Sequence, residues 1–158
     1  METIHPEKTS PAKRFLPPHL LLGAILLSIA LDRWMPLARL WQQPWIVLGA
    51  GIIAAALAVN TFLAIGFRRR KTTVIPFRES TVLITDGLYR FSRNPIYLSM
   101  IVLLYGEAIV LGSLSPWLVP TTFAAAVSRL FIQREEAMLT EKFGDQYRDY
   151  CQRVRRWL

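Results

Sequence analysis

The sequence predicts an all-α integral membrane protein with about four transmembrane helices and a C-terminal helical tail in the cytoplasm. Of its 158 residues, 53% are hydrophobic, and many of them lie in runs of up to about twenty residues, the length that crosses a bilayer. There are 19 Lys and Arg residues against 11 Asp and Glu, a formal charge of +8, and the basic residues form short blocks between the apolar runs. A nucleic-acid-binding domain would gather them on one polar face, so we predict no nucleic-acid partner.

The first two predicted spans cover residues 17–37 and 45–67. In the first, Asp32 and Arg33 confine the purely apolar part to the N-terminal portion. Basic residues precede this span, as they do in a signal peptide, but no small-residue cleavage site follows, so we predict a retained helix. The second span carries no charged residue and ends abruptly at the basic run "RRRK".

The third and fourth predicted spans, residues 95–114 and 116–132, form a helical hairpin because only the short link "GSLSP" joins them. We therefore divide the chain into two units. Residues 1–67 contain the N-terminal segment and the first hairpin. Residues 68–158 form one compact unit of loop, second hairpin and amphipathic tail.

Positive charge predicts the orientation in the bilayer, because Lys and Arg are retained on the cytoplasmic side. The N-terminal segment, the loop 68–94 and the tail 133–158 are rich in Lys and Arg, whereas the link between the first two spans has only Arg33 and Arg39. Both termini are thus predicted in the cytoplasm, with the protein in the cell (inner) membrane. All the polar segments suited to chemistry then lie on that one face.

The stretch "GLYRFSRNPIY", residues 87–97, leads into the third span and is called the loop motif below. Gly87 predicts a turn because glycine takes a positive φ freely. Asn94 is a good N-cap and Pro95 suits the first turn of the next helix. A purely structural interpretation places the arginines at lipid phosphates and the tyrosines in the interfacial aromatic belt. These residues are Tyr89, Arg90, Arg93 and Tyr97.

The tail begins with Glu135 and Glu136, which we call the acid pair. Adjacent carboxylates beside anionic lipid are unfavourable unless a cation or a hydroxyl-rich ligand meets them. A salt bridge to Arg90 or Arg93 is a compatible alternative. The stretch "FGDQY" breaks the helix, and the residues after it form an amphipathic helix whose late arginines are expected to anchor it on anionic lipid. These arginines are Arg153, Arg155 and Arg156.

Two stretches in this order, "LITDGLYRFSRNPIYLSMIVLLYGEAIVLGS" and "REEAMLTEKFGDQYRDYCQRVRRW", resemble the isoprenylcysteine carboxyl methyltransferase family, within the wider group that includes phospholipid N-methyltransferases. In that family a G-x-Y-R-x-x-R-H-P-x-Y motif leads into one helix of a membrane hairpin, and a Glu-Glu pair follows the other helix. Together they enclose S-adenosylmethionine. The resemblance covers about half of the chain, residues 80–158, and it implies methyl transfer from this cofactor to a lipophilic acceptor.

The resemblance implies a cofactor site with the loop motif on one side and the acid pair on the other. Carboxylates can accept hydrogen bonds from ribose hydroxyls or an ammonium group, and an arginine with a helix N-terminus can hold a carboxylate. The histidine usual in the family is Asn94 here, so a titratable imidazole is lost. The implied cofactor-binding residues are Gly87, Tyr89, Arg90, Arg93, Asn94, Pro95, Tyr97, Glu135 and Glu136.

Two residues are candidates for the catalytic side of the site. Arg129, near the cytoplasmic end of the fourth span, either extends its charge to the interface or faces the cofactor or an anionic acceptor. The resemblance places Tyr150, with Tyr147, near the acceptor, and it implies that the tail closes over the site. Glu107 lies deeper than Arg129, so no direct pair is expected. It is either a functional acid or a neutral group bonded to a neighbouring helix.

Other functions stay open from the sequence. A membrane reductase that uses NADPH is the alternative enzyme, since sterol reductases resemble the same region, although an acidic pair facing the ribose argues against it. A non-catalytic membrane scaffold or lipid-binding protein is the alternative outside enzymes. The acceptor and the oligomeric state are not predicted. The single Cys151 and the isolated His5 and His19 predict no metal site.

Overall fold

A computed structural model gives the fold and describes residues 17–40, 44–69 and 83–158, which contain helices and no strand. The helices are α1 (Pro17–Trp34), α2 (Trp45–Arg69), α3 (Pro95–Leu111), α4 (Leu118–Val127), α5 (Gln133–Phe143) and α6 (Asp145–Arg153). Short 3₁₀ turns cover Gly87–Arg90 and Ser115–Trp117, and a π-helical turn, Ser128–Ile132, joins α4 to α5 without a break. Six basic residues used to predict the orientation lie outside the described residues: Lys8, Lys13, Arg14, Arg70, Lys71 and Arg78.

The all-helical prediction is confirmed, and α2 is long and apolar enough to cross a membrane over Trp45–Gly66. No other helix among the described residues passes the same test of length and composition. The helix α3 is apolar but has only 17 residues. Helices α1, α3 and α4 coincide with the other predicted spans, and the number of four spans stays a prediction.

The helix α2 packs along α3 through small residues. A Cβ on Gly49 would lie 2.7 Å from the carbonyl oxygen of Gly106, and a Cβ on Gly106 would lie 3.0 Å from that of Gly49. About three turns further along α2, Asn60 Nδ2 donates to Ser99 Oγ at 2.6 Å. Small residues let two helix backbones approach closely, and the polar bond fixes their register. The glycine-rich stretch of the second span therefore serves packing within the chain.

The links at the far end of the bundle are joined to each other. Ser113 Oγ donates to Asp32 Oδ1 at 2.6 Å, and the same carboxylate lies 3.6 Å from Arg39 Nη1. The backbone N–H of Leu40 donates to the carbonyl of Gly112 at 2.8 Å. The link after α1 thus lies against the link after α3, as the antiparallel arrangement of the predicted spans requires. The polar residues of the loop motif and the tail lie at the other end of α3.

The interior of the bundle is mostly apolar but contains one acidic residue within the described part of the chain. Leu104, Val127 and Ile132 are fully buried between α3 and the helix that carries the π turn. Glu107 is buried beside the buried Ser28 of α1, and Glu107 Oε2 has no hydrogen-bond partner within the described residues. Arg129 is exposed, and within the described residues no ion pair joins it to Glu107, as the difference in depth predicts.

The close contact between α2 and α3 predicts an asymmetry between two glycines of α2. We expect Gly49→Ala to destabilise the protein by about 1–3 kcal/mol, because its Cβ would press on a backbone oxygen that cannot move alone. Gly51→Ala is the matched control, since a Cβ there meets nothing within 4 Å, and alanine favours the helix by about 0.5–1 kcal/mol. Thermal unfolding in detergent, followed by circular dichroism, measures both. Equal melting temperatures for the two variants would contradict the packing described here.

Candidate functional site

The loop motif forms the turn that begins α3. Gly87 has φ 59°, which confirms the predicted turn, and Pro95 occupies the first turn of α3 as predicted. Asn94 stands at the N-cap position, but its side chain makes no capping bond, so that part of the prediction is wrong. Its amide Nδ2 instead donates to the carbonyl of Arg156 at 3.1 Å, because the tail lies against the motif there. Ser92 Oγ accepts from the Asn94 N–H at 3.1 Å.

The end of the tail is hydrogen-bonded to the loop motif. The backbone N–H of Arg93 donates to the carbonyl of Arg155 at 3.0 Å, and Ser92 Oγ donates to the carbonyl of Arg156 at 3.3 Å. In α6, which comes just before this end of the tail, the Tyr150 hydroxyl donates to the carbonyl of Tyr89 at 2.7 Å. Residues far apart in the sequence are thereby held together, and the tail covers the motif.

Glu136 is the centre of the polar contacts. Arg93 Nη2 lies 3.2 Å from Glu136 Oε1, and both side chains are less than one-fifth exposed. Arg156 forms a two-bond fork on the same carboxylate, with Nε 3.1 Å from Oε1 and Nη2 2.5 Å from Oε2. The predicted salt bridge to Arg93 is confirmed. The planar guanidinium of Arg156 matches the carboxylate geometry, and the expectation that the late arginines anchor the tail on lipid stays a prediction.

Glu135 contacts a different partner. The Tyr97 hydroxyl donates to Glu135 Oε1 at 2.9 Å, and the Tyr97 ring stacks on Phe131, with ring centroids 6.3 Å apart. Burial raises the pKa of the Glu135 carboxyl; the Tyr97 hydrogen bond opposes the rise and the charge of Glu136 adds to it. Glu135 is buried, and the one hydrogen bond from Tyr97 offsets only part of the cost of burying its charge. A further hydrogen-bond donor or a cation beside this carboxylate is therefore favourable.

Arg93 has hydrogen-bonding capacity left over. Its Nε is buried and has no hydrogen-bond partner within the described residues, although Nη2 contacts Glu136. Glu136 divides its single negative charge between two guanidinium groups. The cluster can therefore accept an anionic group at Arg93 and a donor at Glu135, which is the chemistry needed to bind a zwitterion.

Tyr150 is a hydrogen-bond donor here. Burial raises the pKa of its phenol to about 12, so it is neutral at physiological pH. Its hydroxyl proton points to the Tyr89 carbonyl, and its ring lies 6.1 Å from that of Tyr147. The hydrogen bond to Tyr89 holds the tail on the loop motif, and the ring contact lies within α6 itself, so neither feature supplies a base.

The structure does not bring all the candidate residues together. The pair Arg93–Glu136 and the pair Tyr97–Glu135 lie side by side through the acid pair, and Asn94 bonds the tail residue Arg156 that also contacts Glu136. Arg90 and Arg129 are exposed outside this network. Sequence reasoning missed two contributors, Ser92 and the side chain of Arg156. It also missed the π turn Ser128–Ile132, one turn before the acid pair, although such turns are frequent at functional sites.

Residues 44–146, more than half of the chain, match the family model described as phospholipid methyltransferase. The chain belongs to this family. The resemblance to isoprenylcysteine methyltransferases is also confirmed, since the chain is 34% identical over 76 residues to protein-S-isoprenylcysteine O-methyltransferase of Schizosaccharomyces pombe. That match covers 46% of this chain and 31% of the yeast protein.

Two further relatives extend the comparison. Methanethiol S-methyltransferase 1 of Bradyrhizobium diazoefficiens is 28% identical over 149 residues, covering 86% of this chain and 51% of that protein. An uncharacterized protein of Haemophilus influenzae is 43% identical over 63 residues, which are 40% of this chain and 100% of that protein. The chain thus spans 31% of the yeast methyltransferase and 51% of the Bradyrhizobium methyltransferase. No solved structure matches the chain.

The pKa of Glu135 predicts a pH dependence of stability for this family member. Because the folded pKa is raised above the unfolded value, the stability contribution is fully present below the unfolded pKa and is lost as pH rises through the folded pKa. Glu135→Gln removes this titration. We expect the melting temperature of the wild type, relative to the variant, to fall between acidic and neutral pH. If the melting temperatures of the two proteins in detergent change with pH in parallel, the raised pKa of Glu135 is contradicted.

Proposed function

We propose that this protein transfers a methyl group from S-adenosylmethionine to a lipophilic acceptor at the cytoplasmic face of the cell (inner) membrane. The family match supports methyl transfer. The observation that carries the proposal is the buried network of the loop motif and the acid pair, in which Tyr97 bonds Glu135 and Arg93 pairs with Glu136.

The residues of this network suit the chemistry of the cofactor. Arg93, with its unpartnered Nε, would hold the methionine carboxylate. Glu135, which accepts one hydrogen bond from Tyr97, would accept others from ribose hydroxyls or the ammonium group. S-adenosylmethionine supplies a methyl group on a sulfonium, so the acceptor has only to be placed in line with it in the absence of water.

The protein's own contribution is therefore to bind, orient and exclude water. Tyr97 and Phe131 provide a stacked apolar surface beside the acid pair. The tail covers the loop motif through the Tyr150 hydroxyl. Asn94 stands where the family usually has histidine; its amide donates to the tail, and since an amide is not basic, this residue accepts no proton. The acceptor then arrives in its reactive form, as a carboxylate, a thiolate or an uncharged amine.

Arg129 is the residue proposed to meet the acceptor. It lies on the π turn, exposed next to the exposed Leu130, just before the acid pair in the chain. A guanidinium at the depth of the membrane interface attracts anionic groups. It would position an acceptor carboxylate or thiolate near the cofactor, whereas an amine acceptor would gain nothing from it.

The membrane arrangement proposed here has four spans and both termini in the cytoplasm. Large apolar side chains of α1 and α2 are exposed in the isolated chain, among them Leu26, Leu27, Val47 and Phe62. Contiguous exposed apolar surface of this kind marks contact with lipid or another apolar partner. The contact between the two links, at the end of α3 remote from the loop motif, supports placing both links on the opposite side of the bilayer.

Cofactor binding tests the proposed function. In detergent, calorimetry should detect S-adenosylmethionine and S-adenosylhomocysteine, and Glu135→Gln should weaken both by about tenfold, the cost of about 1.4 kcal/mol for a weakened charged hydrogen bond. Glu141→Gln, on the exposed side of α5, is the matched control and should bind as the wild type does. Binding of NADPH alone would show a reductase, and no binding by the wild type would leave the scaffold interpretation.

Cysteine labelling tests the topology. Cys151→Ser provides a cysteine-free background. A cysteine placed at exposed Leu114 should react with an impermeant maleimide added outside intact cells, whereas one placed at exposed Arg153 should react only after permeabilisation. The reverse pattern would invert the orientation, and labelling of both sites from outside would rule out the four-span arrangement.

A further inference from the structure

We infer that Arg156 is a positioning residue for the cofactor site: by binding Glu136, it keeps the Nε of Arg93 available for the carboxylate of the ligand. The inference rests on the proposed function and adds to it a residue of the tail that touches neither ligand nor acceptor. Its basis is the way in which one carboxylate is shared between two arginines.

The contacts of Glu136 are unequal. Arg156 takes both oxygens, with Nε 3.1 Å from Oε1 and Nη2 2.5 Å from Oε2. Arg93 reaches only Oε1, through Nη2 at 3.2 Å, and its buried Nε has no partner among the described residues. The more buried arginine thus has the weaker contact. Its side chain is 15% exposed, against 39% for Arg156.

This division has a physical cause. An isolated arginine and carboxylate prefer a two-bond fork, in which Nε and one Nη both donate. If Arg156 did not hold Oε2, Glu136 could rotate to form that fork with Arg93. The Nε of Arg93 would then be occupied, and its positive charge would be neutralised by Glu136 alone. Arg156 prevents this by competing for the same carboxylate.

The backbone of Arg156 is held independently of its side chain. Its carbonyl accepts from Ser92 Oγ at 3.3 Å and from Asn94 Nδ2 at 3.1 Å. The guanidinium is therefore fixed beside Glu136 by the docked tail. Replacing the side chain leaves these backbone contacts available, so the effect on Glu136 can be separated from docking of the tail.

Two ligands that differ in one part test the inference. S-adenosylhomocysteine carries the amino-acid carboxylate, whereas 5′-methylthioadenosine has the same adenosine and thioether without the amino-acid part. We expect Arg156→Ala to weaken binding of S-adenosylhomocysteine by about tenfold, which is about 1.4 kcal/mol, because the ligand carboxylate would lose its bond to the Nε of Arg93. Binding of methylthioadenosine should be unchanged. Calorimetry in detergent, with competition for the weaker ligand, measures both.

Two further variants complete the design. Arg153→Ala is the matched control, because this exposed arginine of the same tail donates to the carbonyl of Asp149 in its own helix and has no bond to the loop motif or the acid pair within the described residues. It should bind both ligands as the wild type does. Arg156→Lys keeps the charge but not the fork, so it should weaken only S-adenosylhomocysteine, and by less than alanine does. If Arg156→Ala does not fold, binding of the two ligands is compared in Arg156→Lys instead.

The outcomes separate this inference from the proposed function. Equal loss of both ligands would show a merely structural role for Arg156 and overturn the inference. Unchanged binding of S-adenosylhomocysteine would overturn it as well, while cofactor binding by the wild type still stands. A wild type that binds neither ligand would overturn the proposed function, and the inference with it.

Discussion

The shared carboxylate of Glu136 is the contact on which the polar end of this protein depends. It joins Arg93 of the loop motif to Arg156 of the tail, and Glu136 itself belongs to the helix that continues the second hairpin. Three segments distant in the sequence therefore meet at one charge. A charge that is partly withdrawn from water is tolerated only when its partners are in place, and removal of a single partner is costly.

The remainder of the fold is organised to bring these segments to one end. Close packing of Gly49 on Gly106 fixes α2 against α3, and the contact of Ser113 with Asp32 fixes the two links at the far end. The loop motif enters α3 at the opposite end, where the π turn delivers the acid pair. Apolar packing thus places the helices, while the polar network is confined to the region in which a charged ligand has access from water.

Much of this arrangement was predictable from the sequence. The apolar runs predict helices, and Gly87 and Pro95 predict a turn and a helix start, from the local sequence alone. The structure has the turn at Gly87 and the start of α3 at Pro95. The salt bridge of Arg93 could be predicted because opposite charges flank one hairpin. The partner of Asn94 could not be predicted, because the local sequence is the same whether its amide caps α3 or donates to the distant carbonyl of Arg156.

Two other features were hidden for different reasons. Nothing local distinguishes Arg156 from Arg155, and only the docked tail decides which side chain faces Glu136. The π turn is closed by i→i+5 hydrogen bonds, one residue longer than those of an α-helix, and its sequence SRLFI contains no Gly or Pro that would indicate the change. A helical wheel extended from α4 would therefore assign the acid pair to the wrong face.

The unequal strength of these contacts also bears on how the molecule moves. The tail is held on the loop motif by hydrogen bonds to the buried Ser92 and Asn94, by the Glu136 ion pairs and by a small buried cluster around Tyr147 and Tyr150, whereas α2 and α3 are close-packed along their length. Local opening follows the regions with the fewest buried contacts and leaves the rest of the fold intact. Opening of the tail would break these polar contacts and expose its small cluster, but it would leave the packing of α2 on α3 intact. Under the proposed function, exchange of the ligand would then require movement of the tail and no separation of α2 from α3.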